Sequence, residues 1–249
     1  KDFAGGVVVH ETAGLAALVI AVMLGARRNT TTPPHNPGFV MLGAAMLWVG
    51  WFGFNAGSAL GANGSAGMSM LVTHISASAG AVTWMFYEWK KFGKPTALGS
   101  VTGLVAGLGT ITPASGFVGP AGALVIGVVA GAVCFNAVLI IKRKLKIDDS
   151  LDVFPVHGVG GIIGTLMAAI FASSQLGIFS GDGLAEGMTI SSQLKVQAIG
   201  VVSTALYTAL ATYIILKFVG VVTGGLRVSP EDESEGLDIS SHEERGYVL

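Results

Sequence analysis

The sequence predicts an all-α fold, a polytopic membrane helix bundle. Three observations carry that prediction. First, 51% of the 249 residues are hydrophobic and only 12% are charged, with a mean hydropathy of +0.69; a soluble domain carries about 25% charged residues. Second, the chain contains seven apolar runs on the scale of the roughly 20 residues that a helix needs to cross a bilayer core of about 30 Å. Third, the loops between those runs alternate in charge. The 37 glycines suit close helix–helix approach in a bilayer. A formal net charge of −1, with no basic stripe outside short loops, argues against nucleic-acid binding.

The first run, 3–26, follows Asp2 and ends at Arg27 and Arg28. The second is 38–61, and the third, 65–89, ends at Lys90, Lys91 and Lys94. The fourth, 95–110, is short and holds Gly99, Gly103 and Gly107. The fifth, 117–141, precedes Lys142, Arg143, Lys144 and Lys146. The sixth is 151–173. The seventh, 190–224, is long enough that it must tilt, kink or protrude, and Arg227 follows it. The intervening loops 62–64, 111–116 and 174–189 hold no Lys or Arg, and Lys195 is the one mild exception. By the positive-inside rule the basic loops are cytoplasmic and the chain starts outside. From 226 the composition turns acidic and polar, as expected of a tail in water, so the chain divides into a membrane domain, 1–225, and a C-terminal tail, 226–249. No signal-peptide pattern opens the chain. It starts at Lys1 without a methionine, next to an apolar run, which suggests that the N-terminal part of a longer protein is absent.

Two histidines stand inside apolar runs, His10 in GGVVVHETAG and His157 in FPVHGVGG. Ionisable groups inside a membrane are costly and usually functional. At 1.5 Å per residue each lies around 10 Å from its own end of the membrane. Counting leaves them apart in depth, and tilt could close the gap. Two readings stay open: separate histidines, each bonded to a backbone or hydroxyl group, or a pair sharing one Nδ1–H between them, with both tautomers fixed. A neutral pair could take a proton from a weak acid and would offer little to a bare metal cation. In LWVGWFGFNAGS, residues 47–58, Trp51, Phe54 and Ser58 fall on one helix face. Aromatic faces with a hydroxyl can hold a small cation; an interfacial aromatic belt is the alternative. The single cysteine, Cys134, cannot form an internal disulfide or a zinc site and reads as a packing residue. No nucleophile, phosphate loop or metal constellation supports an enzyme, and no cofactor is called for.

DFAGGVVVH, GWFGFNAGS, DVFPVHGVGG and the tail residues EGLD, His242 and Tyr247 occur in an order that resembles the ammonium transporter family, Amt branch. The resemblance runs from Asp2 to Tyr247. Members have eleven transmembrane helices, two inverted five-helix repeats and a long last helix, and this chain resembles the part from the fifth helix onward. The resemblance implies that His10 and His157 are the twin histidines of the pore. It implies that Phe54 is the inner gate phenylalanine, and that Ser58 is the hydroxyl of the outer ammonium site. Trp51, Leu47 and Val153 match pore-lining positions, and Asp2 matches the aspartate that begins the fifth helix, an N-cap near the entrance. The implied function is uptake of ammonium by deprotonation and passage of NH3 through a hydrophobic pore, with methylammonium as analogue and no cofactor. An ammonium sensor and an Rh-type gas channel are the alternatives; the EGLD tail weighs against the latter. The implied setting is a homotrimer in the cell membrane, with lipid around it. At its cytoplasmic face the tail couples subunits, and a PII-type signalling protein is the implied partner. Glu11, where many members are uncharged, lies about 100° around the helix from His10 and is expected at a helix contact or subunit interface, not in the pore. His74 is expected to pack and to bond a nearby Ser or Thr.

Overall fold

The computed structural model describes residues 1–30 and 33–246, so Tyr247 of the tail motif lies outside the described residues. Seven long helices follow one another: α1 Gly6–Leu24, α2 Pro37–Gly57, α3 Gly64–Phe92, α4 Ala97–Ile111, α5 Pro120–Lys144, α6 Phe154–Phe171 and α7 Ile190–Val222. Two short helices follow, α8 Pro230–Glu235 and α9 Leu237–His242. The described residues contain no strand. Of the seven, α1, α2, α5, α6 and α7 are each long and apolar enough to cross a membrane. Helix α4 is apolar but has 15 residues. Helix α3 is long enough at 29 residues and more polar, with Ser69, Thr73 and Ser76 all buried.

Sequence signals explain where the helices start. Asn36 accepts from the Phe39 amide at the head of α2, with Pro37 in the first helical position. Asn63 and Thr96 cap α3 and α4 in the same way. Thr189 and Ser192 form a reciprocal capping box at the start of α7. Helix α2 ends at Gly57, four residues short of the expected 61, where the hydrogen bonds tighten to Ala59 N–H on the Ala56 carbonyl and Leu60 N–H on the Gly57 carbonyl ahead of a left-handed Leu60 (φ 54°).

Helix α4 is the hub. It is buried along most of its length and touches α2, α3, α5 and α6. Glycine permits this: a Cβ on Gly107 would collide with the Ser76 carbonyl of α3, and one on Gly103 with the Trp84 side chain. Its apolar side chains join three clusters. Ile111 packs with Val72, Ile126 and Ala168; Ala106 packs with Trp84, Cys134 and Val156; Leu104 and Leu108 pack with Trp51 and Ala77. Cys134 is accordingly a buried packing residue.

At the basic end of the bundle, loops and tail are tied together. Arg27 holds Asp148 through Nε and Nη2, each at 2.8 Å. Arg227 donates to the Leu24 and Ala26 carbonyls at the end of α1 and pairs with Glu233 of α8 at 2.6 Å. The Arg27 hydrogen bonds, ahead of a smaller opposing effect of burial, hold the Asp148 carboxyl below the usual carboxylate range. A depressed carboxyl stabilises the fold at any pH above its unfolded value and loses that contribution as pH falls through the folded value. The tie should therefore survive acidification through the ordinary aspartate range near ~3.9 and fail only below it. Asp148→Asn should remove that acid-limb dependence from the thermal stability of the protein in detergent. Arg27 is half exposed, so the loss should stay within about 1 kcal/mol.

Candidate functional site

The two intramembrane histidines meet. His10 Nδ1 lies 3.1 Å from His157 Nδ1, with ring centroids 5.3 Å apart. Counting placed them at different depths because it let both helices cross the membrane side by side. Instead the first halves of α1 and α6 cross. Gly14 lies directly against the Gly158 backbone, and Gly161 lies against Gly6 and the His10 Cβ. His10 is four residues into α1 and His157 is three residues into α6, so the crossing brings the imidazoles together.

Both helices begin in the same way. Each opens with a π-helical turn, Gly6–Glu11 in α1 and Phe154–Gly158 in α6, and each turn contains the histidine. Each turn is also held by an aspartate eight residues before its histidine. Asp2 accepts from the amides of Gly5, Gly6 and Val7, the Gly6 bond being 2.6 Å. Asp149 accepts from the amides of Val153 (3.0 Å) and Phe154 (2.7 Å). The cap carboxylates satisfy amides that have no partner inside the helix and suit its positive end. Asp149 was missed by motif reading, although the repeated Asp-x7-His spacing was there to find.

A cavity of about 550 Å³ opens beside the pair. His10, His157, Leu47, Trp51, Phe54 and Val153 all line it, together with Val9, Ala13, Met46 and Gly50. Apart from the two imidazoles and the Trp51 indole the wall is aliphatic or phenyl. Trp51 stacks on His10 at 5.2 Å and 14°, and on His157 at 6.5 Å and 19°. Its Nε1–H points away from the cavity and donates to Thr112 Oγ1 at 2.9 Å, while Thr112 donates to the Leu108 carbonyl. Thr112 thus fixes the ring that flanks both histidines, and nothing in its sequence context singled it out. Thr112→Val should leave a buried indole N–H without an acceptor, a loss of about 1–3 kcal/mol. Lower thermal stability and a changed tryptophan emission would register it.

Two of the residues singled out in the sequence do not line the cavity. Ser58 sits just past the end of α2 and donates to the Phe54 carbonyl at 2.9 Å. Asp2 is at the head of α1 as a cap. Nor does His74 follow its expected part: it stacks on Trp48 at 5.1 Å and 19°, with Phe52 at 6.1 Å, so its neighbours are aromatic rings of α2. The cavity is open on one side, where Leu47 (53%) and Phe54 (40%) are exposed while His10 is 3% exposed. Among the described residues no group of His, Cys, Asp and Glu is arranged to hold a metal ion.

The profile of the Ammonium Transporter Family matches residues 1–247. The chain belongs to the ammonium transporter family. An ammonium transporter of Aquifex aeolicus is 48% identical over 248 residues, which is 100% of this chain and 57% of that protein. Among solved structures, one described as a Sensor Amt Protein superimposes with a TM-score of 0.87 at 35% identity, over 97% of this chain and 60% of that one. Mep2 of Saccharomyces cerevisiae superimposes with a TM-score of 0.81 at 38% identity, over 92% and 55%. The chain therefore spans somewhat more than half the length of these family members. Membership makes it part of a multi-pass membrane protein, in a family of transporters, which is not an enzyme class.

Proposed function

We propose that the protein to which this chain belongs is an ammonium transporter or channel, with its substrate path running along the cavity at His10 and His157. The observation that carries this reading is the 3.1 Å Nδ1–Nδ1 contact set in an apolar wall. One proton shared between the two Nδ1 atoms keeps both rings neutral and turns their Nε2 atoms outward as donor or acceptor. Ammonium is recruited on the side away from the basic loops, by the outer-site hydroxyl of Ser58, and passes Phe54, Trp51 and Leu47. There it loses a proton, and NH3 continues past the imidazoles and Val153. A deprotonatable ion escapes the desolvation that the wall imposes, and a permanent cation does not. Asp2 holds the head of α1 near the entrance.

The same reading places the protein in the cell membrane as a homotrimer, with the basic loops and residues 226–249 in the cytoplasm. Docking of Arg227 and Glu233 at the end of α1 supports a regulatory part for the tail, to which a PII-type signalling protein is the proposed partner. Likeness to a Sensor Amt Protein supports a second reading, an ammonium sensor that binds and conducts little. Methylammonium uptake by the complete protein in proteoliposomes separates the two. Saturable uptake that falls on His10→Ala is the result expected of the transporter. Saturable binding without uptake would favour the sensor, and neither would overturn both.

A further inference from the structure

Glu11 is a carboxyl that this path leaves unused. It follows His10 on the first turn of α1 and is 0% exposed, and neither Oε1 nor Oε2 has a hydrogen-bond partner among the described residues. Among the described residues it makes no ion pair, and the Lys1 amino terminus is bonded instead to Gln197 of α7 at 2.7 Å. Its own turn carries only Asp2, at the cap, and His10. Helix α4 has no titratable residue, and α6 brings His157. The buried face of α7 is Gln193, Gln197, Val201 and Thr208, while Lys195 and Lys217 of that helix are exposed. An intramembrane ionisable group without an ion partner is a functional group by default.

Its surroundings point the same way. Gly161 of α6 approaches both the Glu11 amide and the His10 Cβ. One turn further along α6 the Thr165 hydroxyl is also buried and unpartnered, as is His10 Nε2. The Glu11 carboxyl and the Thr165 hydroxyl therefore sit on the two elements that cross at Gly161, beside the histidine that lines the cavity. Buried polar groups of this kind are normally satisfied by internal water.

We propose that Glu11 is a proton-exchanging residue of the transport path, acting through the His10–His157 pair with water as the carrier; this rests on the transporter reading above. An N–H bond of ammonium breaks and NH3 keeps the electron pair. The proton moves through the pair, and an O–H bond forms at one Glu11 oxygen. The O–H bond on the other oxygen breaks toward the basic end of the bundle, and water carries that proton away. Two unpartnered oxygens permit this exchange without leaving an unpaired carboxylate in a dry site, which would be prohibitively costly. Nothing is oxidised or reduced.

The test uses the complete protein on solid-supported membranes, recording ammonium-driven current from pH 5 to 8. Glu11→Gln, nearly isosteric but unable to release a proton, should lower the current about 100-fold, the lower end of what a positioned proton-transfer group supplies. It should also flatten the pH profile, and Glu11→Asp should restore part of both. Unchanged current and pH dependence in Glu11→Gln would overturn the proposal. Should that variant not fold, infrared difference spectra of the parent and of Glu11→Asp on adding ammonium decide. A carboxylic-acid band that responds to ammonium and shifts between the two proteins supports the assignment, and its absence overturns it. Methylammonium uptake by the parent without any ammonium current would also overturn the relay while leaving the transporter reading standing, and absence of both would overturn that reading.

Discussion

Gly14→Ala should destabilise the protein by about 3 kcal/mol or more, at or beyond the upper end of ordinary overpacking costs. A Cβ at residue 14 would overlap the backbone N and Cα of Gly158, and backbone cannot step aside as a flexible side chain can. Helices α1 and α6 must then separate at the point that sets the 3.1 Å histidine contact, so ammonium flux should fall with stability. Gly43→Ala supplies the comparison. Among the described residues nothing lies within 4 Å of a Cβ at that position of α2, and helix propensity favours alanine by about 1 kcal/mol. Thermal unfolding of the complete protein in detergent should move down for Gly14→Ala and stay level or rise for Gly43→Ala. A Gly14→Ala protein as stable as the Gly43→Ala protein would contradict the crossing.

That crossing marks the boundary of what could be read in the sequence. Apolar runs and basic loops located all seven long helices, because bilayer thickness and backbone satisfaction leave little choice of element. Ends were less legible. Helix α2 stops at Gly57 with no change in hydropathy to mark it, so Ser58 is the first residue past the helix, where it keeps its bond to the Phe54 carbonyl. The histidines were visible as costly groups in apolar sequence, but their contact depends on which glycines touch, Gly14 on Gly158 and Gly161 on Gly6. Glycine is common throughout the chain, and no spacing rule tells a glycine at a crossing from one facing lipid. Thr112 and His74 illustrate the same limit. A threonine at a helix end normally suggests a local bond, and Thr112 makes one to Leu108 while also accepting from Trp51, 61 residues away in the chain. His74 was assigned a hydroxyl partner, and tertiary packing gave it the Trp48 ring. Asp149 differs, since its eight-residue offset from His157 repeats that of Asp2 from His10 and was open to inspection.

His157→Asp should admit potassium. In the parent, the cavity offers a cation no fixed negative charge: its walls are Leu47, Phe54, Val153 and their apolar neighbours, and its polar groups are two imidazoles whose facing Nδ1 atoms leave one shared proton between them. Potassium would have to shed water against that wall with nothing to replace it. On the proposed mechanism ammonium avoids the cost by giving up a proton and entering as a neutral molecule that can hydrogen-bond to the rings. An aspartate at 157 changes both halves of the discrimination. It removes the partner that fixes the His10 tautomer, which should disturb proton transfer, and it places a carboxylate where the permeating species passes, which lowers the barrier for any small cation. A charge facing a partly desolvated cation at about 4 Å is worth about 4 kcal/mol at an effective dielectric of about 20, enough to change a relative permeability by about three orders of magnitude. Current and flux in the complete protein, comparing ammonium with potassium for parent and His157→Asp, should show selectivity falling by at least a factor of about 10, because desolvating the new carboxylate offsets much of that attraction. Full ammonium flux with no added potassium current would mean that discrimination lies elsewhere along the path, and the exposed Phe54 would be the next place to look.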